Sequence, residues 1–417
     1  MPAGSKRSPD LRRFGKGYVS ADRNIGMDLS ELDAFLDRTG VDGYLITADG
    51  EDPTQRYLSG FTAPDPFVTL YTDETRLLVS ALEYGRADRT ARADSVERHA
   101  DYNHREHVAE HGPTEGKHRT IAAFLESYEV ESVAAPNDFP LGTADGLREL
   151  GVTVQADNDA VIESIRAVKT DTEIERIRKA QNANEAAMAR TETLLRAASV
   201  DDGTLVYEGE ALTSERLKEE IEIELLRNGY ALDETIVACG ADAADPHDRG
   251  SGPLEAGESI IVDIFPRSKE TGYYGDLTRT FCVGEPSETV ASWYALTLEA
   301  QRAALETIEA GVSGSTVHDA VCDVYEEAGV PTLRADADAQ TGFIHTTGHG
   351  VGLDIHEFPR LSEQDVDLEA GNVVTVEPGL YDPTVGGVRI EDLVVVTEDG
   401  YENLTEYDKE LVIDPGR

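Results

Sequence analysis

Three of the chain's 10 histidines, His345, His349 and His356, fall in one glycine-rich window over residues 343–357. A neutral imidazole ligates divalent metals and exchanges protons near neutral pH. Four acids elsewhere lie against apolar sequence. Asp263 is inside the run Ile260-Ile261-Val262-Asp263-Ile264-Phe265, and Asp276 immediately precedes Leu277-Thr278-Arg279-Thr280-Phe281. Glu377 ends Val373-Val374-Thr375-Val376 and is followed by Pro378, while Glu391 follows Gly387-Val388-Arg389-Ile390 and precedes another apolar run. A carboxylate at the end of a buried strand costs free energy unless it is paired or coordinated. Four of them with an imidazole match the needs of two adjacent divalent cations, whose mutual repulsion bridging carboxylates offset. Such an oxygen and nitrogen set favours Mn2+, Co2+, Zn2+ or Fe2+ over copper or an iron–sulfur centre. Each acid also has a structural alternative: Asp263 as an arginine's partner, Asp276 as a turn cap, Glu377 and Glu391 as surface or salt-bridged groups.

The elements that must position these residues can be read from periodicity. Leu29, Leu32, Phe35 and Leu36 recur at helical spacing, with Asp28 or Ser30 as caps and Gly40 as the stop. Tyr44-Leu45-Ile46 reads as a buried strand, and 68–71 with 76–79 as a hairpin. A helix near 119–128 and a strand near 131–135 complete a small α/β unit. A long helix is expected from Thr170 to about Ala198, its apolar stripe interrupted by Asn184. A second helix carries Leu217, Ile221 and Leu225 and stops at Gly229, and others are expected near 291–310 and 315–328. Strands are expected at 259–265, 277–283, 373–377, 387–391 and 393–397. Helices and strands out of strict alternation favour α+β over a doubly wound sheet. The layout is a flexible lead over 1–25, an α/β domain over 26–162 and a larger domain over 163–417. Neither a dinucleotide nor a nucleoside triphosphate motif is present.

Composition narrows the partners. The chain has 417 residues, with 82 acidic against 37 basic residues for a net charge of −45. Such a surface repels phosphates, so nucleic acid and anionic membranes are poor partners. Self-repulsion of this size is relieved by salt, which points to a high-salt cytosol. Cys239, Cys282 and Cys322 are odd in number and far apart, consistent with a reducing cytoplasm rather than a disulfide scaffold. No apolar run is long enough to cross a membrane, and the first residues lack the apolar core of an export signal.

The ordered set Asp263, Asp276, His349, Glu377 and Glu391 resembles that of the pita-bread metallopeptidases, especially the Xaa-Pro aminopeptidase and prolidase branch. The run Ile165-Arg166-Ala167-Val168-Lys169-Thr170 with Glu173-Ile174 is similar to the lead-in of that family's catalytic domain. Arg56-Tyr57-Leu58-Ser59-Gly60-Phe61 resembles its creatinase-like N-terminal domain. The resemblance implies two divalent ions, Mn2+ first and Co2+, Zn2+ or Fe2+ as alternatives. It implies that Asp276 and Glu391 bridge them, with Asp263 completing one site and His349 with Glu377 the other. It further implies Glu377 as general base, His247, His345 and His356 as histidines around the substrate, and Arg389 as a substrate-side arginine. The implied substrates are short proline-containing peptides and the implied assembly is a homodimer. A small-amide hydrolase and a non-catalytic binding protein on the same scaffold are the rival expectations. One departure stands out. Asp263 and Asp276 are 13 positions apart, wider than the family commonly shows, which predicts an altered rim around an intact site.

Overall fold

The computed structural model describes residues 27–414, so the lead expected over 1–25 lies outside the described residues. Two compact units part between Asp159 and Ala160.

The first unit is a six-stranded mixed sheet in the order β4-β3-β2-β1-β5-β6. Its strands are β1 (Gly43–Ala48), β2 (Phe67–Tyr71), β3 (Thr75–Val79), β4 (Ser95–Arg98), β5 (Ser132–Ala135) and β6 (Thr153–Ala156). Its helices are α1 (Ser30–Thr39), α2 (Pro53–Ser59), α3 (Ala81–Thr90), α4 (His104–Glu126) and α5 (Leu141–Glu149). Helix α1 buries Leu32, Phe35 and Leu36 and ends at Gly40, whose φ of 68° is the left-handed stop that glycine supplies. The carboxylate of Asp28 accepts from the Ser30 N–H at 2.9 Å, although the helix itself begins after Leu29. The expected hairpin is β2–β3, in register Val68↔Leu78. The helix foreseen near 119–128 is the end of the longer α4, which bends at Gly112 and Pro113.

The second unit holds α6 (Val161–Ala167), α7 (Asp171–Ala197), α8 (Ser214–Arg227), α9 (Glu288–Thr307) and α10 (Gly314–Glu327). Between α7 and α8 runs a small meander, β7 (Ser199–Asp201), β8 (Thr204–Tyr207) and β9 (Glu210–Ala211). Strand β10 (Tyr230–Ala231) pairs with β13 (Arg267–Ser268). A four-stranded sheet follows the order β11 (Thr235–Cys239), β12 (Ile260–Ile264), β14 (Leu277–Val283), β22 (Val412–Ile413). A five-stranded antiparallel sheet runs β16 (Glu357–Leu361), β15 (Gly348–Gly350), β17 (Val373–Val376), β20 (Asp392–Thr397), β21 (Gly400–Asn403). The hairpin β18 (Gly379–Asp382) and β19 (Gly386–Arg389) completes the unit.

Each sheet has its own helix pair. Ala187, Met188 and Leu195 of α7 and Leu217, Ile221 and Leu225 of α8 pack on Ile260, Val262 and Phe281 of the first sheet. Ala300 and Ala304 of α9 and Val317, Val321 and Tyr325 of α10 pack on Val374, Val394 and Val396 of the second. Two sheets, each backed by helices, make the pita-bread α+β catalytic fold, and the first unit is the smaller α/β domain. Helix α7 opens on a capping box between Thr170 and Glu173, which satisfies backbone donors at its first turn.

Candidate metal centre

The acids sit where these strands end or meet. Asp263 lies on β12 opposite Thr278 of β14. Asp276 comes one residue before β14, Glu377 one residue after β17, and Glu391 between β19 and β20. His349 is the middle residue of β15. A Cβ on Gly348 would lie 2.0 Å from the Thr375 carbonyl oxygen, so the glycine lets β15 close against β17. The expected strands over 373–377 and 387–391 stop short of their glutamates, because Pro378 and the turn into β20 interrupt the ladders.

Ligand atoms of Asp276, His349 and Glu391, all buried, lie within 4.8 Å of one another. His349 Nε2 is 3.7 Å from Asp276 Oδ2 and 3.3 Å from Glu377 Oε1. The other ring nitrogen, Nδ1, lies 3.1 Å from the Gly350 carbonyl oxygen, which can only accept. Nδ1 therefore carries a proton, and Nε2 faces the carboxylates either as the bare ligand atom of the neutral ring or, once protonated, as a donor to Glu377 Oε1. The carboxylates thus require positive charge at this point, from a cation or from the imidazolium.

The acids show the same deficit. Burial, then the charges of Glu391, Asp263 and Glu377, push Asp276 well above the ordinary carboxylate range. Burial with Glu377 and Asp263 does the same to Glu391. Asp263 is also raised by burial, against the pull of Arg389. Glu377 differs: burial raises it, but the hydrogen bond and charge of His349 outweigh burial and leave it at about 2. Asp263 Oδ2 accepts from Arg389 Nη2 at 2.7 Å, while its buried Oδ1 has no hydrogen-bond partner among the described residues. An orphaned oxygen beside the imidazole and three further carboxylates fits metal coordination, with Arg389 supplying part of the counter-charge.

The other expected residues gather around this ring. Arg389 also donates from Nη1 to Tyr381 Oη at 2.9 Å and to the Pro246 carbonyl at 3.3 Å, which anchors the loop of exposed His247 beside it. His345 engages both ring nitrogens, Nδ1 with the Thr346 carbonyl at 2.7 Å and Nε2 with Tyr381 Oη at 3.0 Å. Burial lowers its pKa to about 4, so it is neutral at pH 7. His356 stands edge-on to His349 with ring centroids 4.5 Å apart, and burial of its inner side and then His349 lower it to about 4. His318 reaches Thr347 Oγ1 at 2.9 Å from α10, a structural contact. Tyr273 is likewise core, donating to Glu173 Oε1 at 2.8 Å.

Sequence reasoning missed Tyr381. Its hydroxyl joins Arg389 to His345, which continues the chain that begins at Asp263. The available signal was a tyrosine two residues after Gly379 in the hairpin that follows Glu377. Thr278 was also missed; its hydroxyl donates to Glu391 Oε2 at 2.7 Å and accepts from Arg389 Nε at 3.3 Å.

An imidazole and four acids converging between two helix-backed sheets define a metal-dependent hydrolase. Residues 175–398 match the model of metallopeptidase family M24, and residues 29–168 match that of the creatinase/prolidase N-terminal domain. The chain belongs to metallopeptidase family M24. It is 30% identical over 396 residues to an Xaa-Pro dipeptidase of Pyrococcus furiosus, covering 92% of this chain and 99% of the relative. Among solved structures it resembles an Xaa-Pro dipeptidase from Bacillus anthracis, with a TM-score of 0.77 at 27% identity over 92% of this chain and 98% of that one. It also resembles an X-Pro aminopeptidase from Thermotoga maritima, with a TM-score of 0.73 at 26% identity over 90% of this chain and 99% of that one.

Proposed function

We propose that this chain hydrolyses the Xaa-Pro bond of dipeptides or short peptides at a centre of two divalent ions, Mn2+ before Co2+, Zn2+ or Fe2+. The observation that carries this reading is the buried ring itself, in which Asp276, His349 and Glu391 converge and Asp263 keeps an unpartnered oxygen. Asp263, Asp276, His349, Glu377 and Glu391 would hold the ions, within a catalytic domain over 163–417 preceded by the domain over 26–162. When bound, such ions supply Lewis acidity, acidifying water and polarising the scissile carbonyl.

The chain's own residues supply the remaining steps. Glu377 is ionised at neutral pH, the form that takes a proton from the attacking water and passes it towards the leaving nitrogen. His356, edge-on to His349, and His247, in the loop whose Pro246 carbonyl Arg389 holds, would orient the carbonyl and stabilise the developing oxyanion. His345, Tyr381 and Arg389 form a hydrogen-bonded wall that keeps Asp263 oriented. An Xaa-Pro bond is a tertiary amide, so its nitrogen offers no N–H and the pocket must fit the ring instead. A homodimer in a salt-rich cytosol is the setting we assign, on resemblance for the first and net charge for the second.

The test is hydrolysis in molar KCl with each metal in turn, against Gly-Pro, a longer Xaa-Pro peptide, a non-proline dipeptide and creatine. Turnover confined to proline substrates supports the reading; equal turnover of the non-proline dipeptide, or turnover of creatine, defeats it. Glu377→Gln should lower kcat by about 100–10,000-fold. Wild-type kcat in a folded, metal-loaded variant would remove Glu377 from that role.

A further inference from the structure

We propose that three buried carboxamides, Gln181, Asn184 and Gln301, are positioning residues that set the spacing of the four carboxylates and thereby the metal affinity of the centre. The proposal rests on the metal-centre reading above. Gln181 of α7 holds both backbone groups of Asp276: its Oε1 accepts from the Asp276 N–H at 3.0 Å, and its Nε2 donates to the Asp276 carbonyl at 2.8 Å. The same Nε2 donates to Thr405 Oγ1 at 2.8 Å, which accepts from the N–H of Leu393, two residues beyond Glu391. Asn184 donates to the carbonyl of Ile264, the residue after Asp263, at 2.5 Å. Gln301 of α9 donates to the carbonyls of Val376 at 2.9 Å and Ile390 at 3.3 Å, the residues before Glu377 and Glu391. Every candidate carboxylate thus has a peptide group, its own or an adjacent residue's, held by one of these amides.

The physical need is local. β12, β17 and β19 end at this centre, and a buried carbonyl at the end of a ladder must find another donor. A lysine or arginine could donate, but its charge would pair with the neighbouring carboxylates and compete with the cations. A carboxamide gives the same hydrogen bonds with no net charge, and all three are at most 1% exposed.

This arrangement also accounts for the wide interval between Asp263 and Asp276. Gln181 and Asn184 are three residues apart, on one face of α7. They grip Asp276 and Ile264, the two ends of the longer connection. Gly275 is seated hard against the same helix, where a Cβ would lie 2.8 Å from the Ala180 carbonyl carbon and 2.9 Å from the Gln181 nitrogen. The helix, together with the β12–β14 ladder that pairs Ile264 with Leu277, fixes the distance between the strand ends whatever the length of the loop.

The deciding experiment is calorimetric titration of Mn2+ into metal-free full-length protein in molar KCl, with thermal midpoints measured alongside. Gln301→Met, Gln181→Met and Asn184→Ala should each weaken Mn2+ binding by about 10–100-fold, as loss of an outer-shell partner does. The control is Asn372→Ala, which removes a buried amide that holds the Ala167 carbonyl and the Glu369 N–H away from the carboxylates. It should lower the thermal midpoint and leave Mn2+ affinity unchanged, which separates positioning from stability. Should Gln301→Met not fold, the two α7 variants read the same quantity. Wild-type affinity in the folded amide variants, with Asp276→Asn abolishing binding, overturns this inference alone. Wild-type affinity in Asp276→Asn as well overturns the metal-centre reading and this inference with it.

Discussion

Asp276 and Glu391 bring ligand atoms within 4.8 Å of each other, and burial with the charges of the neighbouring acids raises both well above ordinary carboxylates. Raised in this way, such groups hold protons to higher pH than free carboxylates do, and a divalent ion must displace those protons to bind. Binding should therefore release protons, and affinity should rise with pH until the carboxyls are ionised in the free protein. Titrating Mn2+ in two buffers of different ionisation enthalpy measures the count directly, and equal heats in both would contradict it. The five chemically loaded residues were legible because each is a polar side chain set against apolar or glycine-rich sequence. Tyr381 and Thr278 were not, since a tyrosine or threonine in a strand is ordinary sequence and only the fold brings their hydroxyls to Arg389. Asn184 was visible only as a flaw in a helix's apolar stripe; its use appears once Ile264 is placed beside it.

At the scale of elements, the strands expected from sequence lie within about two residues of observed ones, while short strands such as β15, which carries His349, have no apolar run to announce them. Glu377 and Glu391 lie just beyond β17 and β19, and an apolar run does not say where its ladder stops. The lead-in to α7 was recognised by its residues, and its partner was not. Glu357, buried beside His356, is paired with Arg166 and with Lys169 Nζ at 2.9 Å, and it accepts from the Asp354 N–H at 2.9 Å. This triad ties the end of α6 and the segment before α7 to the loop that carries His356. Burial alone would raise Glu357, but Lys169 and Arg166 outweigh it and hold the carboxyl at about 2, below its ordinary 4.5. A folded value below the unfolded one means that the unfolded chain binds the extra proton. The contribution is complete above the unfolded value and disappears as pH falls through the folded one. Glu357→Gln, which leaves two buried cations without a counter-charge, should cost about 3–5 kcal/mol at neutral pH. Its deficit against wild type should shrink as pH falls from about 4.5 towards 2. Denaturant midpoints of both proteins across that interval decide it; a constant gap would mean that the ion pairs do not carry the stability.

At the scale of the whole chain, a net charge of −45 dominates. No described helix is long and apolar enough to cross a membrane. Only 8 of the 37 basic residues are lysines, and arginines such as Arg334, paired with Asp319, Asp323 and Glu326, recur in the ion pairs. Such pairs neutralise a minority of 82 acids, so most of the excess is left to repel itself. That repulsion extends over about 10 Å at 0.1 M salt and about 3 Å at 1 M. Raising salt over this interval should therefore stabilise the folded chain, because the compact state concentrates like charge more than the unfolded one does. Screening also weakens the exposed arginine–carboxylate pairs, but each is worth at most about 1 kcal/mol and they are outnumbered. Thermal midpoints should rise as KCl is raised from 0.1 to 2 M (roughly the span over which screening becomes complete). NaCl should act the same way, since screening does not distinguish the cations. A midpoint that is flat, or highest at low salt, would mean that the acidic excess is spread too thinly to matter and would remove the reason for assigning the protein to a saline cytosol.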